Sequence, residues 1–92
     1  MKKQIRRHII FFGRVQGVGF RYRAYYAAVQ LKLSGWVCNL DDGTVEMEVQ
    51  GTEEGIDALL VHMSRQDLIR IDDMEIKEIP LKTGRNKFRV LN

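Results

Sequence analysis

Residues 13–21, which read Gly-Arg-Val-Gln-Gly-Val-Gly-Phe-Arg, have the types and spacing of a binding site for a small anion. Three of the first seven are glycines, which let the backbone turn tightly and bring its N–H groups close to a ligand. Arg21 falls in the first turn of a segment with helical spacing, so backbone donors, a helix N-terminus and a guanidinium come together. Each of them favours negative charge, and the segment therefore predicts a site for a phosphate-like group.

The second chemical candidate is Asn39, an amide at the end of the apolar stretch 35–39. Taken alone, Asn39 can simply open the turn that Asp41-Asp42-Gly43 predicts, and Arg21 can be an ordinary surface cation. The glycine-rich segment also lacks the Gly-Lys-Ser/Thr ending of a nucleotide P-loop and the Gly-x-Gly-x-x-Gly spacing of a dinucleotide site. Neither candidate specifies a reaction by itself.

The apolar patterns around these candidates predict an α+β fold with the ferredoxin-like order βαββαβ. Strands are expected where apolar residues form a run or alternate with polar ones, and helices where they recur every three to four residues. The expected strands cover residues 5–12, 35–40, 45–50 and 71–79 with a short closing strand at 88–90, and the expected helices cover 20–33 and, after a Thr52 cap, about 53–63. Two helices would then cover one face of a mostly antiparallel sheet in a single domain, 1–92, with its core at about 5–91.

The first expected helix carries two overlapping apolar rows, which predict a broad buried face. These rows are Phe20, Ala24, Ala27 and Leu31, and Tyr22, Tyr26, Val29 and Leu33. Ser34-Gly35 is expected to end this helix. Residues 64–70 are left open between a last helical turn and a loop, and residues 84–86 predict a turn.

Composition narrows the class of protein. With 92 residues, 15 basic and 12 acidic side chains and a net charge of +3, the chain lacks the concentrated basic stripe of a dedicated nucleic-acid binder. No apolar run is long enough to cross a membrane, and none of signal-peptide length follows the basic N-terminus. The single cysteine, Cys38, excludes an intramolecular disulfide and is too few for a metal cluster. We expect a cytoplasmic monomer with no metal and no cofactor.

Taken together, the two candidate segments resemble the acylphosphatase family. The matching pieces are the nine residues 13–21, Leu-Ser-Gly-Trp-Val-Cys-Asn at 33–39, Asp-Gly-Thr-Val at 42–45 and Val-Gln-Gly at 49–51. The resemblance runs over about residues 5–90, in the order and spacing of the family. The chain departs from the family at 64–70, which lacks the frequent Gly-Pro pair, and this puts the local loop in doubt rather than the site.

The resemblance implies hydrolysis of acyl phosphates to a carboxylate and inorganic phosphate, without a metal or a phospho-enzyme intermediate. It implies that Arg21 binds the substrate, that Asn39 positions a water, and that the Arg14 side chain adds at most a secondary electrostatic contribution. It implies a phosphate cradle formed by the backbone N–H groups of Arg14, Val15, Gln16, Gly17, Val18 and Gly19.

These implied roles agree with the chemistry of the residues. A guanidinium can grip two phosphate oxygens with its planar fork, and an amide can orient a water without taking its proton. The leaving carboxylate has a conjugate-acid pKa of about 4, so it departs without a general acid. Nothing in the sequence marks a pocket for the acyl group, and we expect broad acyl tolerance.

The alternatives are a non-catalytic small-anion or RNA-binding module on the same fold, and an accessory domain of a larger maturation enzyme. RNA binding is disfavoured because the third strand carries Glu46 and Glu48 rather than an aromatic pattern. An accessory domain is disfavoured by the end of the chain at residue 92. His8 and His62 are expected to be structural or exposed, and strand alternation is expected to separate the Cys38 and Asn39 side chains.

Overall fold

The computed structural model describes residues 2–84 and 87–92 and forms one five-stranded sheet with two helices. The elements are β1 (Gln4–Arg14), α1 (Phe20–Gln30), β2 (Ser34–Asn39), β3 (Val45–Thr52), α2 (Glu53–Ser64), β4 (Arg70–Ile79) and β5 (Phe88–Val90). A turn was expected at residues 84–86. Gly84 has φ +73°, whereas Arg85 and Asn86 lie outside the described residues.

The sheet has the strand order β4-β1-β3-β2-β5. All neighbouring strands are antiparallel except β5, which runs parallel to β2. Both helices pack on the face that carries Ile9, Val37 and Met47, each of which is fully buried. The expected ferredoxin-like fold, with two helices on one face of a mostly antiparallel sheet, is therefore confirmed.

The opposite face of the sheet carries polar side chains that pair with one another across neighbouring strands. Arg6 is only 2% exposed, and its guanidinium donates to Glu48 at 2.8 Å and to Gln50 at 3.2 Å. His8 lies beside it and contacts Glu46 at 2.7 Å. A nearly buried cation needs such partners, because an unpaired buried charge is strongly destabilising.

Helix α1 ends at Gln30 rather than at Leu33, so the expected helix end was wrong. Lys32 adopts a left-handed conformation with φ +59°, and the Leu33 N–H donates to the Ala28 carbonyl oxygen at 2.9 Å. A left-handed residue after the last turn, together with such a backward hydrogen bond, is a common way to satisfy the carbonyls at a helix end. Ser34 and Gly35, expected to end the helix, lie in β2, which begins at Ser34 rather than at the expected Gly35.

The buried face of α1 is also narrower than expected. Phe20, Ala24, Ala27 and Ala28 are buried, whereas Tyr22, Tyr26 and Val29 are 59%, 66% and 52% exposed. A helix lying on a sheet with solvent on its other side can bury only one stripe. The alanine row is that stripe, and the expectation of a second buried row was wrong for Tyr22, Tyr26 and Val29, whereas Leu33, which lies beyond the end of the helix, is buried.

Helix α2 begins as expected. The Thr52 side chain accepts a hydrogen bond from the Gly55 N–H at 3.0 Å, and Glu53 and Glu54 lie in the first turn, where the helix dipole favours negative charge. The helix ends at Ser64, so most of the connection that was left open is a non-helical turn, in which Ile69 is buried. In the part of the chain that the structure describes, neither helix is long and apolar enough to cross a membrane.

Candidate active site

The glycine-rich loop joins the end of β1 to the start of α1. Its two valines, Val15 and Val18, are 1% and 7% exposed and anchor the loop in the core. Gly17 and Gly19 lie at the surface with φ +73° and +79°, left-handed conformations that favour glycine. Gly19 is the N-cap of α1 and has no side chain to cap it, so the first N–H groups of the helix are left for an external acceptor.

The loop begins after Arg14, where β1 ends, shortly beyond an irregularity in the pairing of β1 with β4. The strand register shifts between Phe12 and Gly13, and Gly13 has φ +129°. A Cβ at this position would lie 2.2 Å from the carbonyl oxygen of Arg70. Glycine is therefore required here for both conformation and space, because the backbones of β1 and β4 approach closely just before the loop begins.

Arg21 and Asn39 are linked through one side chain, that of Asn92. The Asn92 Oδ1 accepts from the Arg21 Nη1 at 3.3 Å and from the Asn39 backbone N–H at 2.9 Å. The Asn92 Nδ2 donates to the Asn39 carbonyl oxygen at 2.9 Å. The structure thus brings together the two residues that the resemblance singled out, although they are 18 positions apart in the sequence.

The sequence interpretation missed Asn92. It follows β5, whose parallel pairing with β2 carries the chain to the end of β2 beside Asn39. Short polar residues after a closing strand are common, so the sequence contained no signal that would have singled out this one.

The side chain of Asn39 ends in a polar atom without a partner. Its Oδ1 is enclosed and accepts no hydrogen bond from the described residues. Leaving a buried acceptor unpaired costs about 1–3 kcal/mol, and each such group in a native structure calls for an explanation such as a bound water or a catalytic function. The unpaired acceptor thus belongs to the residue whose backbone contacts Asn92.

Gln16 joins the loop to the turn between β2 and β3. Its Nε2 donates to the carbonyl oxygens of Leu40 at 2.7 Å and Thr44 at 2.9 Å. The sequence interpretation used only the backbone of Gln16, so it missed this contact. The turn itself carries Asp42, whose Oδ1 accepts from the Thr44 hydroxyl at 2.6 Å and from the Thr44 N–H at 3.0 Å. These two bonds favour the ionised form and lower the pKa of Asp42.

The surroundings of the loop are rich in positive charge. Arg14 is exposed and lies opposite Arg70 in the β1–β4 register, and Arg70 pairs with Asp72. Among the described residues, the ion pairs include neither Arg14 nor Arg21. Arg21 instead contacts a neutral amide, which leaves its charge available to an incoming anion.

Cys38 lies on the polar face, where its Sγ is 3.8 Å from Glu46. Burial and the neighbouring Glu46 carboxylate both raise the pKa of this thiol, which therefore stays protonated at neutral pH. A protonated thiol is a poor nucleophile, and Cys38 is not a candidate for covalent chemistry. Among residues 2–84 and 87–92, no three His, Cys, Asp or Glu side chains are grouped so that they could hold a metal ion.

Three comparisons with known proteins found the same family. A family model described as acylphosphatase matches residues 7–90. The chain is 41% identical over 85 residues to the acylphosphatase of Geobacillus kaustophilus, covering 91% of this chain and 90% of the relative. The crystal structure of acylphosphatase from Bacillus subtilis superposes with a TM-score of 0.87 at 34% identity, covering 96% of this chain and 99% of the other.

A third relative is much longer. The crystal structure of HypF from T. kodakarensis superposes with a TM-score of 0.82 at 38% identity, covering 96% of this chain but only 12% of the HypF chain. The same fold, with comparable sequence similarity, thus also occurs as one part of a larger protein.

Proposed function

Because the chain belongs to the acylphosphatase family, we infer that it hydrolyses acyl phosphates, and we propose that Arg21, Asn39 and the loop of residues 14–19 carry out the reaction. The observation that carries this proposal is the junction at Asn92, which holds the Arg21 guanidinium and the Asn39 backbone within hydrogen-bonding distance of one amide.

The phosphate group of the substrate binds first to the loop. The backbone N–H groups of Arg14, Val15, Gln16, Gly17, Val18 and Gly19 surround its oxygens, and the uncapped N-terminus of α1 adds a favourable dipole. Arg21 exchanges its neutral partner for the phosphate and grips two oxygens with its planar fork. Arg14 adds positive charge at the edge of the loop.

Hydrolysis then requires one water and no covalent intermediate. The unpaired Oδ1 of Asn39 accepts a hydrogen bond from that water and aligns it with the phosphorus. As the new P–O bond forms, the bond between phosphorus and the carboxyl oxygen breaks, and the electron pair leaves with the carboxylate. The proton of the attacking water passes to the phosphate product or to solvent, and the loop and Arg21 stabilise the charge on the transferring group.

We also propose that the reaction needs no metal. The charge that a cation would neutralise is met by Arg21 and the backbone donors, and the carboxylate leaves without a Lewis acid because its conjugate acid has a pKa of about 4. The monomeric state, the cytoplasmic location and the broad acyl tolerance remain predictions.

The test is phosphate release from benzoyl phosphate in the presence of a chelator. We expect turnover by the wild type, a loss of at least about 100-fold in kcat/KM for Arg21→Ala, and a loss of about 100-fold in kcat for Asn39→Ala. Arg65→Ala, which removes an exposed arginine at the end of α2, is the control and should keep wild-type activity. A folded wild type without turnover would refute the function. Full activity of Arg21→Ala would refute the proposal that Arg21 binds the phosphate of the substrate. Activity that disappears with the chelator would refute the metal-free mechanism.

A further inference from the structure

The side chain of Gln16 connects the two halves of the site, and we propose that it is a positioning residue that sets the phosphate cradle at a fixed distance from the water held by Asn39. This inference rests on the proposed function. In the proposed function, only the backbone N–H of Gln16 binds the phosphate. The present inference adds a function for its side chain.

The contact joins two separate chain segments. Gln16 belongs to the loop between β1 and α1, whereas the two carbonyls that it reaches, those of Leu40 and Thr44, belong to the turn that directly follows Asn39. The Gln16 amide has two N–H donors, and two carbonyl oxygens lie within 2.9 Å of it. Its donor capacity is fully used by this one turn.

The turn does not need Gln16 to close. The Leu40 N–H donates to the Thr44 carbonyl oxygen at 2.9 Å, and the Gly43 N–H donates to the Leu40 carbonyl oxygen at 3.2 Å. Asp42 adds its two bonds to Thr44. Both carbonyls therefore already accept a bond within the turn, and the Gln16 bonds serve to join the turn to the loop.

The contact is also sheltered from water. Thr44 is 8% exposed, Gln16 is half-buried, and the loop on its other side is anchored by Val15 at 1% exposure. A hydrogen bond in such partly buried surroundings holds its geometry better than an exposed one, because water competes less for its donor and acceptors.

The position of this bridge determines what it should affect. In-line attack needs the water oxygen and the phosphorus about 3–3.5 Å apart, and a displacement of about 1 Å can cost 100-fold in rate. Gln16 restrains the loop that holds the phosphorus relative to the strand end that holds the water. Its loss should therefore lower kcat while the cradle itself still binds phosphate.

The experiment compares Gln16→Met with the wild type, using benzoyl phosphate for turnover and inorganic phosphate as a competitive inhibitor. Methionine has a similar length and flexibility but no donor. We expect kcat to fall about 10- to 100-fold while the inhibition constant of phosphate changes less than about threefold. Gln30→Met, at the exposed end of α1, is the matched control and should match the wild type in both measurements.

A second variant, Gln16→Glu, tests through its pH dependence whether the lost hydrogen-bond donor causes the fall in kcat. Its carboxylate faces two carbonyl oxygens, which disfavour the ionised form, so its pKa should lie above the ordinary value. Once protonated it can donate one hydrogen bond. The kcat of Gln16→Glu relative to Gln16→Met should therefore rise as the pH is lowered from 7.5 to 5.

The outcomes are distinguishable. Wild-type kcat in Gln16→Met, or a phosphate inhibition constant that weakens in parallel with the fall in kcat, would overturn the positioning inference while wild-type turnover still supports the proposed function. A ratio of Gln16→Glu to Gln16→Met that stays flat with pH would also overturn it. Absence of turnover in the wild type would overturn both proposals. Thermal unfolding of each variant shows whether a lost activity reflects a lost fold.

Discussion

The Arg21 guanidinium lies 3.3 Å from a neutral amide oxygen, whereas several other arginines of the protein contact carboxylates. An arginine already paired with a carboxylate would have to lose that partner before it could bind a phosphate. Contact with Asn92 orients the Arg21 side chain at small cost, because a neutral partner is exchanged more easily than a charged one. In the free protein, the contact with Asn92 thus orients the Arg21 side chain without neutralising the charge that we propose binds the phosphate.

This view of Asn92 predicts different effects for two substitutions. Asn92→Asp places a carboxylate beside Arg21, which should compete with the substrate and raise KM about tenfold or more. Asn92→Ala removes the contacts to Arg21 and to the Asn39 backbone without adding charge, and should lower kcat more than it raises KM. Steady-state kinetics on benzoyl phosphate checks both. A KM for Asn92→Asp no higher than that for Asn92→Ala would contradict this account of Arg21.

At the scale of elements, the sequence predicted what depends on local patterns. The alternation of Val45, Met47 and Val49 marked β3, and all three are fully buried. The end of α1 was missed because the left-handed turn at Lys32 uses a residue that ordinarily avoids that conformation, so the sequence carried no glycine signal there. The exposed tyrosines were misplaced because periodicity shows which residues share a helix face but not which face meets the sheet.

The turn between β2 and β3 gives a prediction about acid stability. The Thr44 bonds lower the pKa of Asp42, so Asp42 contributes stability that is present above the pKa of the unfolded chain, about 3.9, and is lost as the pH falls through the lower folded pKa. Asp42→Asn keeps an oxygen acceptor but loses the charge. The Tm of the wild type should therefore exceed that of Asp42→Asn near neutral pH, and the difference should shrink towards zero below about pH 3.

Thermal unfolding monitored by circular dichroism between pH 2 and 7 measures this difference. Asp41→Asn, an exposed neighbour in the same turn, controls for the loss of one negative charge. A difference for Asp42→Asn that grows as the pH falls would show that the Thr44 bonds do not favour the ionised form.

At the scale of the whole molecule, the sheet order assembles the site. Because β3 lies between β1 and β2, the loop after β1 and the end of β2 face each other across the start of β3, and Gln16 spans that gap. The parallel strand β5 then brings Asn92 to the other side of Asn39. The sequence indicated Arg21 and Asn39 only by resemblance, because contacts between distant strand ends depend on pairing that local patterns do not contain.

Phosphate binding and water positioning are assigned to different residues, and Asn39→Ala separates the two. The inhibition constant of inorganic phosphate and the kcat for benzoyl phosphate are measured on the same folded preparation. We expect kcat to fall about 100-fold while the phosphate inhibition constant stays within about threefold of the wild type, because Arg21 and the loop still hold the phosphate. Unchanged kcat, or phosphate binding lost in step with kcat, would contradict the assignment of Asn39 as the residue that positions the water.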